Sequence, residues 1–133
     1  MEVERALGEA AGAPLQLTFT PQVVPMTRGI MCTLYGRLAD ADQDQVLEAY
    51  RDHYRGEPFV RVVDRDTHAD TGQVRGGNRC LIRVACDDRT GMFRVISHID
   101  NLVKGQAGNA LQNLNLIFGL DETLGLDAPG RHP

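Results

Sequence analysis

Gly105 and Gly108 lie near the start of a segment rich in apolar and amide side chains, shortly after Asp100 and Asn101. If a helix begins here, its first turn exposes unpaired N–H groups and the positive end of the helix dipole, which bind phosphate or carboxylate groups. Lys104 adds a full positive charge, and the glycines would let a ligand approach the backbone. The spacing fits a second interpretation equally well, in which Asp100 or Asn101 caps the helix and the glycines ease packing.

Two arginines lie in short connections that contain proline or glycine. Arg28 follows a proline-stiffened apolar stretch, and Arg75 directly precedes Gly76 and Gly77. The planar guanidinium group suits a bidentate grip on carboxylate or phosphate, so both arginines are candidates for binding an anionic substrate group. A structural arginine that binds loop carbonyls is the competing interpretation for each.

His98 and Asp100 are two residues apart near a predicted strand end, which places both side chains on one face. They could form an acid/base pair, but a structural histidine is the favoured interpretation. The three cysteines, Cys32, Cys80 and Cys86, are expected to be reduced, buried thiols. Spacing defines neither a nucleophile with its base nor a cluster of metal ligands. We therefore predict no catalytic residue and no metal site.

The last helix is predicted over residues 103–118, with two contrasting faces. Its apolar stripe is expected to face the core and consists of Val103, Ala107, Ala110, Leu111, Leu114, Ile117 and Phe118. Its other face carries uncharged amides: Gln106, Asn109, Gln112, Asn113 and Asn115. Amides satisfy hydrogen bonds without the cost of burying charge. We expect another domain, subunit or ligand to cover this face, in preference to solvent.

The remaining pattern predicts the elements that position these residues. Helical spacing predicts helices over residues 2–11 and 42–55. Alternation and apolar runs predict strands over residues 15–20, 30–38, 59–63, 79–86 and 92–99, with a long loop over 64–77. The expected fold is α+β, a two-layer sandwich with a mixed, mostly antiparallel sheet and helices on one face. Residues 1–126 would form the domain and residues 127–133 a flexible tail.

Composition narrows the function further. The net charge of −4 argues against a nucleic-acid partner, because phosphate binding requires a positive surface. No apolar run is long enough to span a bilayer, and the first residues lack the order of a signal peptide. We expect a cytoplasmic protein that does not act at a membrane.

Four segments together resemble one enzyme family. Residues 19–30, FTPQVVPMTRGI, resemble FTPHLVPMTRGI; residues 74–80, VRGGNRC, resemble VRGSNYC. Residues 99–115, IDNLVKGQAGNALQNLN, resemble IDNLVKGAAGQAVQNMN, and residues 118–126, FGLDETLGL, resemble FGLPETTGL. These are hallmarks of N-acetyl-gamma-glutamyl-phosphate reductase. Gln22 replaces the usual His and Gln106 the usual Ala.

The resemblance implies an NADPH-dependent oxidoreductase of arginine biosynthesis that reduces an acyl phosphate to a semialdehyde. It implies the C-terminal fold shared with aspartate-semialdehyde and glyceraldehyde-3-phosphate dehydrogenases, which forms homo-oligomers through its sheet and adjoins a nucleotide-binding domain. Arg28 and Arg75 would then bind substrate. The residues beside NADP would be Asn101, Lys104, Gly105, Ala107, Gly108 and Asn113.

Parts of the family pattern are missing from this sequence. The glycine-rich nucleotide domain, the Gly-Cys-Tyr-type nucleophile segment and the His-Arg-His-Thr-Pro segment do not occur. We therefore expect a fragment that is inactive alone and does not bind NADP tightly. The alternative is a dimerisation or partner-binding module without chemistry, derived from the same domain.

Overall fold

The computed structural model describes residues 2–38 and 42–127. Its helices are α1 (Glu2–Ala11), α2 (Gln43–His53) and α3 (Gly108–Ile117), and its strands are β1 (Ile30–Arg37), β2 (Val60–Val63), β3 (Cys80–Asp87) and β4 (Met92–Ile99). The sheet order is β1-β4-β3-β2; β2 runs parallel to β3, and the other neighbours are antiparallel. The predicted α+β class with a mixed, mostly antiparallel sheet is confirmed. Of the predicted tail, all but Asp127 lies outside the described residues.

Helix α2 covers one face of the sheet. Its N-cap is Asp42, whose side chain accepts a hydrogen bond from the Gln45 N–H (2.9 Å), while the Gln45 side chain accepts one from the Asp42 N–H (2.9 Å). This reciprocal capping box satisfies two backbone donors at the helix start. Leu47 projects from the helix into the main core, and the buried strand residues around it are Ile82, Val84 and Val95.

The long loop over residues 64–77 packs on the opposite face of the sheet. Val74, in a short 3₁₀ turn (Gly72–Val74), is almost fully buried against Val63 of β2 and Leu81 of β3. Because β2 and β3 carry apolar residues on both faces, they need cover on both sides. The predicted long loop supplies the second cover.

Residues 15–20 do not form the predicted strand. Phe19 is 57% exposed and Val23, further along, is fully exposed. One contact of this stretch is a hydrogen bond from the Leu17 N–H to the Glu4 side chain (3.2 Å). The prediction was wrong because alternation specifies the two faces of a strand but not a neighbouring strand with which it can pair.

The edge strand β1 leaves apolar side chains uncovered on both faces. Ile30 and Leu34, on the α2 side, are 45% and 41% exposed; Met31 and Tyr35, on the other side, are 58% and 65% exposed. Helix α2 packs over the centre of the sheet and does not shield this edge.

The cysteines only partly match their prediction. All three are free, but Cys32 in β1 is exposed, whereas Cys80 and Cys86 are half-buried. The expected burial of Cys32 is therefore wrong, because its strand lies at the uncovered edge of the sheet. No helix within the described parts of the chain is long and apolar enough to cross a membrane.

Candidate functional site

The carboxylate of Asp100 joins three segments that are far apart in the sequence. Arg28 donates to both of its oxygens, at 2.6 and 2.5 Å. The backbone N–H of Gly76 donates to one oxygen at 2.7 Å, and the N–H groups of Leu102 and Val103 donate to the other at 2.8 Å each. Asp100 is completely buried. It is the point on which the 19–30, 74–80 and 99–115 segments converge.

Asp100 keeps its negative charge in this environment. Burial alone would raise the pKa of its carboxyl, but the hydrogen bonds from Arg28 and from the N–H groups of Gly76, Val103 and Leu102 outweigh it and hold the pKa well below its usual range. The anion position at the helix start is thus filled by the chain's own carboxylate. The capping interpretation applies here, and an external phosphate would have to displace Asp100.

The helix that follows begins with a π-helical turn over Val103–Ala107, which the sequence did not predict. The Gly105 N–H donates to the Asp100 carbonyl (2.8 Å), and the Ala107 N–H donates to the Leu102 carbonyl (3.0 Å), each five residues back. Such turns widen the backbone locally and often occur at functional sites. Hydrophobic spacing carries no signal for a single wide turn, so only the fold reveals it.

The two glycines of this turn differ in role. Gly108 is buried, and a Cβ there would lie 2.4 Å from Oδ1 of Asn78 and 2.8 Å from Val103, so glycine is required for packing. Gly105 is exposed, although a Cβ would lie 3.2 Å from the Asp100 carbonyl. The packing interpretation therefore applies to Gly108, while Gly105 leaves backbone open to a ligand.

Asn101 and Gly29 connect the helix start to β1. The Gly29 N–H donates to Oδ1 of Asn101 at 2.8 Å. Gly29 has a φ of 102°, and a Cβ there would lie 2.7 Å from Cβ of Thr71, so both backbone and space favour glycine. Together with the ion pair between Arg28 and Asp100, this bond holds the connection before β1 against the helix start.

The Lys104 side chain packs against other residues of the domain. Its ammonium donates to Oε1 of Gln112 at 2.6 Å and lies 5.5 Å from the centre of the Phe59 ring. The Gln112 amide also accepts from Nδ2 of Asn78 (3.1 Å) and donates to Oε1 of Glu122 (2.6 Å). The lysine charge is therefore coupled through one amide to a carboxylate. Neither Asn78 nor Gln112 was predicted as a site residue, although both lie in the motif segments.

Three further predicted site residues lie outside this network. The Arg75 guanidinium is half-buried and makes no hydrogen bond or ion pair within residues 2–38 and 42–127. Ala107 and Asn113 are exposed, and the Asn113 side chain makes no hydrogen bond to the described residues. The structure thus brings Arg28, Asn101 and the helix start together around Asp100. Arg75 precedes Gly76, which bonds to Asp100, but the Arg75 guanidinium has no partner among the described residues.

Comparison with known proteins identifies the family. Residues 1–101 match the family described as semialdehyde dehydrogenase, dimerisation domain. The chain belongs to this family.

The chain is similar to proteins named N-acetyl-gamma-glutamyl-phosphate reductase. The one from Desulforudis audaxviator is 53% identical over 133 residues, covering 99% of this chain and 38% of the relative. Those from Geobacter metallireducens and Symbiobacterium thermophilum are 49% and 51% identical, covering 95% and 94% of this chain and 37% and 36% of the relatives. The chain spans little more than a third of the length of these relatives.

The last helix of this dimerisation-domain chain is oriented differently from the prediction. The apolar stripe expected in the core is largely exposed: Leu114 by 46%, Ile117 by 78% and Phe118 by 72%. Asn115 is buried instead, and its amide donates to the carbonyls of Glu122 (3.2 Å) and Leu124 (3.0 Å). The core assignment was wrong because the turn after α3 folds back and presents carbonyls to which the Asn115 amide donates, while the apolar stripe faces away from the domain.

The amide face is covered only in part, and by the chain itself. Asn115 and Gln112 bond within the domain, whereas Gln106, Asn109 and Asn113 are exposed. The uncovered surface of the helix therefore carries both apolar and amide side chains.

His98 and Asp100 do not form an acid/base pair. His98 is buried, its Nδ1 has no hydrogen-bond partner among the described residues, and burial lowers its pKa. Asp100 bonds to Arg28 and backbone donors instead. Among the residues that the structure describes, no group of three His, Cys, Asp or Glu side chains is arranged to hold a metal ion.

Proposed function

We propose that this chain is the C-terminal part of a cytoplasmic, NADP-dependent N-acetyl-gamma-glutamyl-phosphate reductase and is inactive without a nucleotide-binding unit. The supporting observation is the convergence on Asp100 of the three segments that carry the enzyme-like motifs. In this function the protein reduces an acyl phosphate to a semialdehyde in arginine biosynthesis. NADPH supplies the hydride.

The helix start suits the neutral nicotinamide ring better than the phosphates of the cofactor. Asp100 already occupies the anion position, and the Lys104 ammonium is bound by Gln112. Exposed backbone at Gly105 and Ala107 leaves room for a flat, uncharged group. On this proposal Asn101 and Gly108 shape the turn, and the exposed Asn113 contacts the cofactor side of the cleft.

The two predicted substrate arginines receive different roles. The charge of Arg28 is committed to buried Asp100, so Arg28 holds the site together and presents only the 28% of its side chain that is exposed. The Arg75 guanidinium has no partner among the described residues. Arg75 is therefore the better placed to bind the phosphate or carboxylate of the substrate.

The exposed side of α3 is the surface on which the nucleotide-binding unit would pack. Leu114, Ile117 and Phe118 expose apolar area at helical spacing in and just after α3, the helix that continues from the π-helical turn. Contiguous exposed apolar patches on globular proteins often mark surfaces that bind another protein or domain. The relatives are more than twice as long as this chain, so they have the length to supply such a unit.

Complementation tests this function. The purified chain should not oxidise NADPH with N-acetyl-gamma-glutamyl phosphate, and adding the unmatched portion of the Desulforudis audaxviator relative should produce turnover. Ile117→Ser should weaken the complementation, whereas Tyr35→Ser, a matched change on β1, should leave binding of the added unit intact. Turnover by the chain alone, or failure of every complementing unit to bind, would overturn the proposal.

A second candidate function is a dimerisation module without chemistry. It is favoured by the uncovered β1 edge, where Ile30, Met31, Leu34 and Tyr35 expose apolar surface on both faces. Homo-oligomers would then form through the sheet. Analytical ultracentrifugation should show a dimer that Tyr35→Ser and Met31→Ser weaken; a strict monomer at high concentration would count against it.

A further inference from the structure

A concave surface lies on the sheet face opposite α2, at the β2 edge. Its volume is about 510 Å³. This is within the range of small-molecule sites, roughly 300–1,000 Å³. Three of the side chains that line it are apolar and buried: Phe59, Val63 and Leu81. The polar side chains that line it are Arg61, Arg79, Thr67, His68 and Gln73. The pocket thus has an apolar base and a polar, cationic rim.

The strand register places the two arginines together. Arg61 is opposite Leu81 in the parallel β2–β3 pair, and Arg79 lies two residues before Leu81. Arg79 directly precedes β3, and residues two apart in extended backbone point to the same face, so the register favours Arg61 and Arg79 on one side of the sheet. Neither guanidinium makes a hydrogen bond or ion pair to any residue that the structure describes. Like charges on neighbouring positions of a sheet repel each other, and an anion between them would offset that repulsion.

Asp70 bonds within the loop that lines the pocket and makes no hydrogen bond or ion pair to Arg61 or Arg79. Asp70 accepts the Gln73 N–H at 3.1 Å and lies 2.8 Å from Nε2 of His68. The Gln73 side chain in turn accepts from the Asp70 N–H (3.2 Å) and donates to the His68 carbonyl (3.3 Å). These bonds fix the loop wall of the pocket in place and engage both Asp70 oxygens. Neither arginine therefore forms an ion pair with this carboxylate, and both guanidinium groups can bond to an added anion.

We propose that this pocket binds a small organic anion, with a carboxylate or phosphate between Arg61 and Arg79 and an apolar body on Phe59 and Leu81. A planar guanidinium pair grips either anion, and the buried floor favours a ligand that also carries a ring or aliphatic group. Phe59 links the pocket to the helix start, since the Lys104 ammonium lies 5.5 Å from the centre of its ring. The proposal stands independently of the reductase function.

Methyl and arginine side-chain NMR of the full chain tests the pocket. Phenyl phosphate and benzoate serve as probes for the two anion types, and inorganic phosphate tests the anion without an apolar body. At least one aromatic probe should shift the Leu81 and Val63 methyl signals saturably, and the aromatic phosphate should bind more tightly than inorganic phosphate. Arg61→Gln and Arg79→Gln should each weaken this binding about tenfold or more.

Arg94→Gln is the matched control. Arg94 lies in β4, is exposed, has no partner among the described residues and does not line the pocket. This variant should bind the probe with unchanged affinity, and all three variants should keep the parent Tm. Absence of a saturable shift with both aromatic probes would overturn the proposal. So would equal weakening by Arg94→Gln, because the effect would then be general charge attraction.

Discussion

Replacing Asp100 by Asn tests whether this carboxylate holds the site together. Asp100→Asn keeps the shape but removes the charge that Arg28 pairs with, and its NH₂ group must face one of the two donor sets. One oxygen accepts from Arg28 and the Gly76 N–H, and the other accepts from Arg28 and the N–H groups of Leu102 and Val103. Either orientation sets donor against donor.

The expected loss of stability is large. Breaking a buried ion pair by neutralising one partner costs about 3–5 kcal/mol. A domain of this size is stable by about 5–15 kcal/mol, so the loss is a substantial share of the total. The corresponding fall in Tm is roughly 10–20 °C. Asp100 is completely buried and Arg28 exposes only 28% of its side chain, so solvent screens the interaction weakly.

Urea unfolding and thermal melts measured by circular dichroism would determine the change. Asp64→Asn is the matched control, because Asp64 also pairs with an arginine, Arg51, but is 74% exposed. Exposed ion pairs contribute little, so this variant should unfold like the parent. If Asp100→Asn unfolds within error of Asp64→Asn, the role given to Asp100 is wrong.

The pH dependence provides a second check on Asp100. Because its folded pKa is held below the ordinary value, its contribution is complete above the unfolded pKa of about 3.9 and is lost as pH falls towards the folded value. The parent should therefore lose more stability than Asp100→Asn on acidification below about pH 4. Parallel acid profiles for the two proteins would contradict the assignment.

Other substitutions test the packing and the exposed groups. Gly108→Ala should cost about 1–3 kcal/mol in urea unfolding, because the added methyl would lie 2.4 Å from Oδ1 of Asn78; an unchanged midpoint would refute the close contact. Cys32 is exposed and should react with a thiol reagent before Cys80, whose pKa is raised by burial, so Cys32→Ser should abolish the fast phase. Burial lowers the pKa of His98, so unfolding takes up a proton and stability should fall as pH drops below about 6.5; His98→Asn should show a smaller fall between pH 7 and 5.

Local sequence pattern predicted much of the fold. Helix α1 and strand β4 have the predicted limits, and α2 begins after the capping residue Asp42. The predicted strands over residues 79–86 and 92–99 form an antiparallel hairpin, and Gly91 in its turn adopts a φ of 64°. These features depend on neighbours a few residues apart, which a linear sequence displays directly.

The sequence predicted most of the residues of the site but not the contacts between them. Arg28, Arg75 and the helix start were each recognised, yet Asp100 was considered only as a cap or as a partner of His98. Its bond to Arg28 spans 72 residues and its bond to Gly76 spans 24. Separations of that size depend on the path of the whole chain, which residue types and spacing do not specify.

The amino-acid sequence by itself determined the residue types, the element boundaries near strong turns and caps, and the motif segments that identify the family. The tertiary structure alone decided which of those residues meet. It filled the helix start with Asp100, turned Asn115 inwards and Ile117 outwards, and left residues 15–20 without a strand partner. The reason is that periodicity defines which side chains share a face, whereas the partner of that face is set by chain segments far away in sequence.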